Sequence, residues 1–223
     1  MNIFLVGDIH GDFRRVNDWN RFVEEDDVVI QIGDFGAYKG FLEILPPSKC
    51  KVYFIDGNHE DFDIINSWSK TEITEVAKNY FYVPRGYVME LAGKRFGFLG
   101  GGESVDRYWR VSSGNYKSWW AEERILPEDV DRLVQNAGEK GIDVLISHVP
   151  PPDVIAHSFP PINRADWNLP SNWVDISSQM VAQAIEKVKP AKVFCGHMHK
   201  SVKYFSFPFE ARIIDINEVV EFE

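Results

Sequence analysis

The sequence predicts an α/β layered fold, and three observations carry that prediction. Short apolar runs rich in β-branched and aromatic residues recur along the chain. Several are apolar at consecutive positions, as strands buried on both faces are. Amphipathic stripes of helical spacing lie between the runs, and strands alternating with helices build layered α/β sheets. A chain of 223 residues can bury a sizeable core as one unit, and residues 1–223 are expected to form a single domain.

IFLV at 3–6 is the first strand, and Phe13, Val16, Trp19 and Val23 after it fall roughly on one helical face. VVI at 28–30 with Ile32, and VYFI at 52–55, are the next strands. FYVP, YVMEL and RFGFLG in the middle read as a meander, with FGFL at 96–99 its most apolar part. Pro127 suits a helix start, and Val130, Leu133, Val134 and Ala137 keep i, i+3, i+4, i+7 spacing behind it. VLI at 144–146 is a further strand. Ile176, Met180, Val181, Ala184, Ile185 and Val188 form another helical stripe that stops before Pro190. VFC at 193–195 is a strand, and VKYFSF, ARIIDI and VVEF read as consecutive antiparallel strands. Two long loops, 101–126 with Trp109, Trp119 and Trp120 and 149–173 with six prolines, His157, Trp167 and Trp173, have the length at which loops tend to carry function.

Composition narrows the partners. A net charge of −10 opposes the electrostatic footprint needed for duplex nucleic acid. It leaves room for a small phosphate ester held at bound cations, which invert the local field. No apolar stretch reaches membrane-spanning length. The start, MNIFLVGD, lacks a basic n-region and a long enough apolar run for a signal peptide, so cytoplasmic residence is the expectation. Cys50 and Cys195 form no CxxC motif and read as reduced structural residues.

The polar residues at the ends of the apolar runs are the most informative. Asp8 and His10 come after the first run, Asp34 after the second, Asn58 and His59 after the third, His148 after the VLIS run, and His197 and His199 after the VFCG run. Ligands bind at the carboxyl ends of strands in α/β sheets. One histidine at a strand end is commonly a satisfied structural residue, but five such ends in one chain call for a common cause. Asp8, His10, Asp34, Asn58, His148, His197 and His199 exceed one tetrahedral set and suit two metals sharing a bridging carboxylate. Imidazole, carboxylate and amide oxygen together suit manganese, iron, zinc or nickel better than soft thiolate metals and do not choose among them, with manganese taken as the first candidate.

The ordered set D8-x-H10, GD34, GN58-H59-E60, H148 and GH197-x-H199 resembles the calcineurin-like metallophosphoesterase superfamily, across nearly the whole chain. The resemblance implies a four-layer α/β/β/α sandwich with a dinuclear site at the strand ends. It implies that Asp8, His10, Asp34 and His199 bind one divalent ion. Asp34, Asn58, His148 and His197 would bind the other, with Asp34 bridging. It further implies hydrolysis of a phosphomonoester or phosphodiester by a metal-bound hydroxide. His59 would bond a phosphoryl oxygen or protonate the leaving group.

GDFGAYKG stands where the phosphoprotein phosphatase branch continues as GDxxDRG, with Ala37 and Tyr38 in place of its aspartate and arginine. That argues against protein phosphatase activity and leaves open whether Asp56 or Glu60 orients His59. The segment GGGESVDRYWRVSSGNYKSWWAEE is similar to one in small bacterial and phage metallophosphoesterases. Arg107, Arg110 and Arg164, in the two long loops, are candidates to grip phosphate bidentately. The loops favour a small, nucleotide-like substrate. A nuclease acting on short oligonucleotides and a non-catalytic module of the same fold are the competing readings, and the intact ligand set counts against the latter.

Overall fold

Alternation within the strands decides how the layers stack. The computed structural model describes residues 1–112 and 118–223. Its strands are β1 (Ile3–Val6), β2 (Val28–Gln31), β3 (Lys51–Phe54), β4 (Thr74–Ala77), β5 (Tyr80–Tyr82), β6 (Val88–Leu91), β7 (Lys94–Leu99), β8 (Val144–Ser147), β9 (Lys192–Cys195), β10 (Val202–Tyr204), β11 (Glu210–Ile213) and β12 (Val219–Glu221). Its helices are α1 (Arg15–Trp19), α2 (Phe41–Ile44), α3 (Phe62–Ile65), α4 (Arg107–Ser112), α5 (Pro127–Ala137), α6 (Pro152–Ser158) and α7 (Ile176–Val188).

In β1, Ile3 and Leu5 enter a core shared with Phe96, Phe98, Val144, Ile146 and Phe194 of the second sheet. Phe4 and Val6 face the other way, onto Val16, Trp19, Phe35 and Phe41. Leu99, Leu145 and Val193 turn outward onto Val130 and Leu133 of α5 and Val181 and Ala184 of α7. The result is four layers, α/β/β/α. Truncating a fully buried side chain such as Leu5 to alanine costs about 2–5 kcal/mol in such a core.

The first sheet runs β12-β1-β2-β3-β5-β4 and the second β10-β11-β9-β8-β7-β6. β1, β2 and β3 are parallel neighbours, as are β7, β8 and β9. Pro127 opens α5, and the Asp129 carboxylate accepts the Leu126 N–H at 3.0 Å. Asp175 caps α7 by accepting the Ser178 N–H at 2.8 Å. That helix ends at Lys189 in the left-handed region, before Pro190.

Two groups of strands sort differently from the sequence expectation. β10 and β11 form an antiparallel pair, but β11 lies parallel to β9. β12 crosses to the first sheet and pairs antiparallel with β1. A tight turn at 215–218 makes the crossing, pinned by the Asn217 N–H to Asp8 O and the Gly7 N–H to Glu218 O. The middle meander is divided too. β5 joins the first sheet beside β3, whereas β6 and β7 form a hairpin in the second. Both cysteines are buried and free. Among the described residues no helix is long and apolar enough to cross a membrane.

Candidate metal centre

Parallel strands deliver their carboxyl ends to one side, and the crevice there receives every strand-end ligand candidate. Asp8 follows β1 and is fully buried. Both its oxygens accept the His197 N–H at 3.1 Å, and its Oδ2 lies 3.1 Å from His199 Nε2. Gly196 makes that approach possible, since a Cβ there would sit 2.2 Å from Asp8 Oδ1. Gly57 does the same for Asp34, whose Oδ1 would lie 2.1 Å from an added Cβ.

The backbone is bent to present the ligands. His10 (φ 46°), Asp34 (φ 52°), His197 (φ 67°) and His199 (φ 46°) all occupy the left-handed region. Each such non-glycine residue costs about 1–3 kcal/mol and persists where surrounding structure over-determines it. The His10 N–H, for example, donates to Asp34 O at 2.8 Å.

Asp8, His10, Asp34 and His199 each place a ligand atom so that all lie within 4.8 Å of one another. His10 Nε2 and His199 Nε2 are 2.9 Å apart, and His10 Nδ1 is 3.7 Å from Asp34 Oδ2. Deeper in, His148 Nε2 lies 3.3 Å from Asp34 Oδ1 and 3.2 Å from Asn58 Oδ1. The rings of His148 and His197 meet edge-to-face at 5.1 Å. His148 Nδ1 is 3.0 Å from Ile32 O. A carbonyl only accepts, so Nδ1 carries a proton, and Nε2 faces two acceptor oxygens. Oxygens gathered around that nitrogen call for positive charge between them, which a second ring proton or a bound cation supplies.

The electrostatics agree. Burial alone would depress the His148 imidazolium, but the carboxylates of Asp34 and Asp8 outweigh it and push the group up to about 10. Burial opposes ionisation of Asp34, yet His148, His59 and His10 hold its carboxyl far below the ordinary range. Burial, reinforced by His148, pushes His197 down to about 4. The hydrogen bond to Asp8 raises His199 despite some burial. The donor set fits divalent cations.

His59 sits at the rim, its ring 5.1 Å from that of His10. Its backbone N–H donates to Asp34 Oδ1 at 2.8 Å, and burial lowers its imidazole pKa. Neither neighbouring acid is placed to orient its ring. Glu60 is buried and accepts the backbone N–H groups of Phe35, Gly36 and Ala37 at 2.7, 3.0 and 2.6 Å. Burial, with Asp34, pushes its carboxyl up to about 8 while those amides pull it back. Asp56 pairs with Arg85 at 2.5 Å and accepts from the Tyr82 hydroxyl at 2.9 Å.

The three loop arginines part company. Arg110 is nearly buried and donates to Asn58 O at 3.2 Å and Ser104 Oγ at 2.6 Å. Arg107 stacks 4.0 Å over the Trp119 ring. Arg164 donates to Trp173 O at 2.9 Å, in a cleft with Phe159, Pro160 and Pro161 to which no ligand candidate contributes. Trp120 is buried and Trp109 is exposed. Trp119 donates its indole N–H to Glu123 at 2.9 Å. Residues 113–117 of the GGGES segment lie outside the described residues. Sequence reasoning passed over Ser104, Glu123 and Arg85, which back the Asn58 end of the crevice. Ser104 and Glu123 lie within the GGGES segment, whereas Arg85 precedes it and carried no local signal.

A family model, calcineurin-like phosphoesterase, matches residues 1–201. This chain belongs to the calcineurin-like phosphoesterase family. The four-layer α/β/β/α arrangement that the resemblance implied is the one found here. Among solved structures the chain is similar to a protein assigned as a 5'-nucleotidase from Staphylococcus aureus. The identity is 10% and the TM-score 0.54, over 99% of this chain and 50% of that one. The chain thus spans half the length of that relative. A phosphopantetheinyl hydrolase from Mycobacterium tuberculosis matches at 12% identity and TM-score 0.50, covering 97% of this chain and 90% of that one. At these identities the likeness is one of fold. No curated protein matches the chain by sequence.

Proposed function

We propose that this phosphoesterase is dinuclear and hydrolyses a small, nucleotide-like phosphomonoester or phosphodiester. One observation carries the reading. Asp34 faces two groups of donors at once, with Oδ2 toward His10 and Oδ1 toward His148. Asp8, His10, Asp34 and His199 would hold one cation. Asp34, Asn58, His148 and His197 would hold the other. Bound there, two cations supply a water nucleophile of lowered pKa and neutralise charge on the phosphate oxygens. His59, at the rim, would bond a phosphoryl oxygen or protonate the leaving group.

Manganese is the first candidate for the metal, with iron, zinc or nickel as alternatives that the mixed donor set fits equally. The relatives named as nucleotidase and phosphopantetheinyl hydrolase point to small phosphate compounds. Arg110 is the best-placed of the three arginines to meet such a substrate. The test is hydrolysis of p-nitrophenyl phosphate, its bis ester and a nucleotide panel with Mn²⁺, Zn²⁺, Ni²⁺ and Mg²⁺. Turnover of one ester class, greatest with Mn²⁺, is expected. Metal-loaded protein that cleaves none of these substrates would return the chain to the non-catalytic reading.

A further inference from the structure

We propose that Ser104 and Glu123 are positioning residues that decide which end of the Asn58 side-chain amide faces the crevice. The inference rests on the two-cation reading of the site. Asparagine can give a metal only its carbonyl oxygen, because the NH₂ end carries donors and no free lone pair. The two ends are nearly equal in size, so packing does not choose between them. A directed hydrogen bond has to.

The direction starts at Glu123, which is 1% exposed. Its Oε1 accepts the Ser104 N–H at 2.8 Å and the Trp119 indole N–H at 2.9 Å. Its Oε2 accepts the Ser104 hydroxyl at 2.8 Å, with Arg110 Nη1 3.7 Å away. A hydroxyl has one proton. Committed to Glu123, Ser104 Oγ has only lone pairs left for its other neighbours. It accepts from Arg110 Nη1 at 2.6 Å and from Asn58 Nδ2 at 3.0 Å. An acceptor at that position selects the NH₂ end of the amide. Asn58 Oδ1 is left pointing at the crevice, 3.2 Å from His148 Nε2.

The relay is anchored from behind. The Arg85 guanidinium donates to the carbonyls of Glu122, Glu123 and Arg124 at 3.0, 3.1 and 2.5 Å. It is itself held by Asp56 at 2.5 Å. This fixes the stretch that carries the Glu123 carboxylate.

The test is calorimetric titration of the full chain with Mn²⁺, with thermal midpoints measured alongside. Two equivalents are expected for the unaltered protein. Ser104→Ala removes the acceptor, and one of the two affinities should fall about 10–100-fold, the usual effect of losing a partner that orients a ligand. The other should hold. Glu123→Gln should act the same way, because its amide can donate to Ser104 and turn the hydroxyl proton toward Asn58. It serves if Ser104→Ala does not fold. In an Asn58→Asp background the ligand has two equivalent oxygens and needs no orienting, so Ser104→Ala should cost no further affinity there. Two tight equivalents unchanged by Ser104→Ala overturn the proposal. So does an equal loss at both equivalents, or the same loss in the Asn58→Asp background, since either marks a merely structural role. Fewer than two equivalents in the unaltered protein overturns the dinuclear reading itself, and the relay with it.

Discussion

The two halves of the crevice share Asp34 and differ in how they are held. In the open half, the His10 and His199 side chains are 27% and 47% exposed. Their ring nitrogens meet one another and the carboxylates of Asp8 and Asp34. In the closed half, His148 is wholly buried and Asn58 nearly so. There each side chain has a second partner behind it, Ile32 O for His148 and Ser104 for Asn58. The closed half is preorganised by the protein interior. Left-handed turns bend the backbone in both halves, at His10 and His199 in the open one and at His197 in the closed one, so the backing of His148 and Asn58 is what sets the closed half apart. Interior hydrogen bonds hold a ligand against exchange, whereas a bent loop at the surface holds it where solvent and substrate arrive.

The largest expected effect comes from removing what the halves share. Asp34→Asn takes away a charge facing both donor groups. Metal content measured by mass spectrometry should drop, and kcat should fall about 10³-fold, in line with losing several kcal/mol of charge stabilisation. A variant that keeps both metal content and rate would show that the halves are not joined at Asp34.

Next in size is the support behind the closed half. Arg85→Ala leaves the buried Asp56 carboxylate without its cation, an omission that costs about 3–5 kcal/mol. Thermal unfolding should show this as a clear loss of stability. Retained stability would mean that the Arg85 bonds to Asp56 and the 122–124 carbonyls do not brace that side. His59→Ala separates chemistry from metal binding. About 10²-fold is expected in kcat, with metal content unchanged, and a loss of metal would move His59 among the ligands. The smallest effect is kinetic. Chelation by EDTA should strip metal in two phases, the faster from the exposed His10–His199 side. A single phase would erase the contrast between open and closed.

Much of this site was legible because its cause is local. A strand that ends in Gly-Asp, Gly-Asn, Ser-His or Gly-His advertises itself in five or six letters, and five such endings survive any uncertainty about sheet order. The helices at 127–137 and 176–188 were readable for the same reason, since periodicity, Pro127 and Pro190 lie within or beside each segment. Glu60 was not readable. It is adjacent to His59 in sequence, yet its carboxylate turns away to collect three amides from residues 35–37. The three arginines looked alike as loop charges, but only Arg110 reaches the backbone of a ligand candidate. The strands after Cys195 looked consecutive, and the turn at 215–218 sent the last one to the other sheet.

The sequence by itself determined the layered α/β class and which strand-end residues are candidates to hold a metal, because each depends on side-chain type and short-range spacing. Only the tertiary structure decided which strands share a sheet, which ligands cluster around each side of Asp34, and that Ser104, Glu123 and Arg85 stand behind Asn58. Among those relations, Ser104 and Glu123 stand 19 positions apart, Asn58 and His148 90, and His10 and His199 189. They arise from hydrogen bonds that buried polar groups must find wherever the packed chain places a partner, and no local pattern records them.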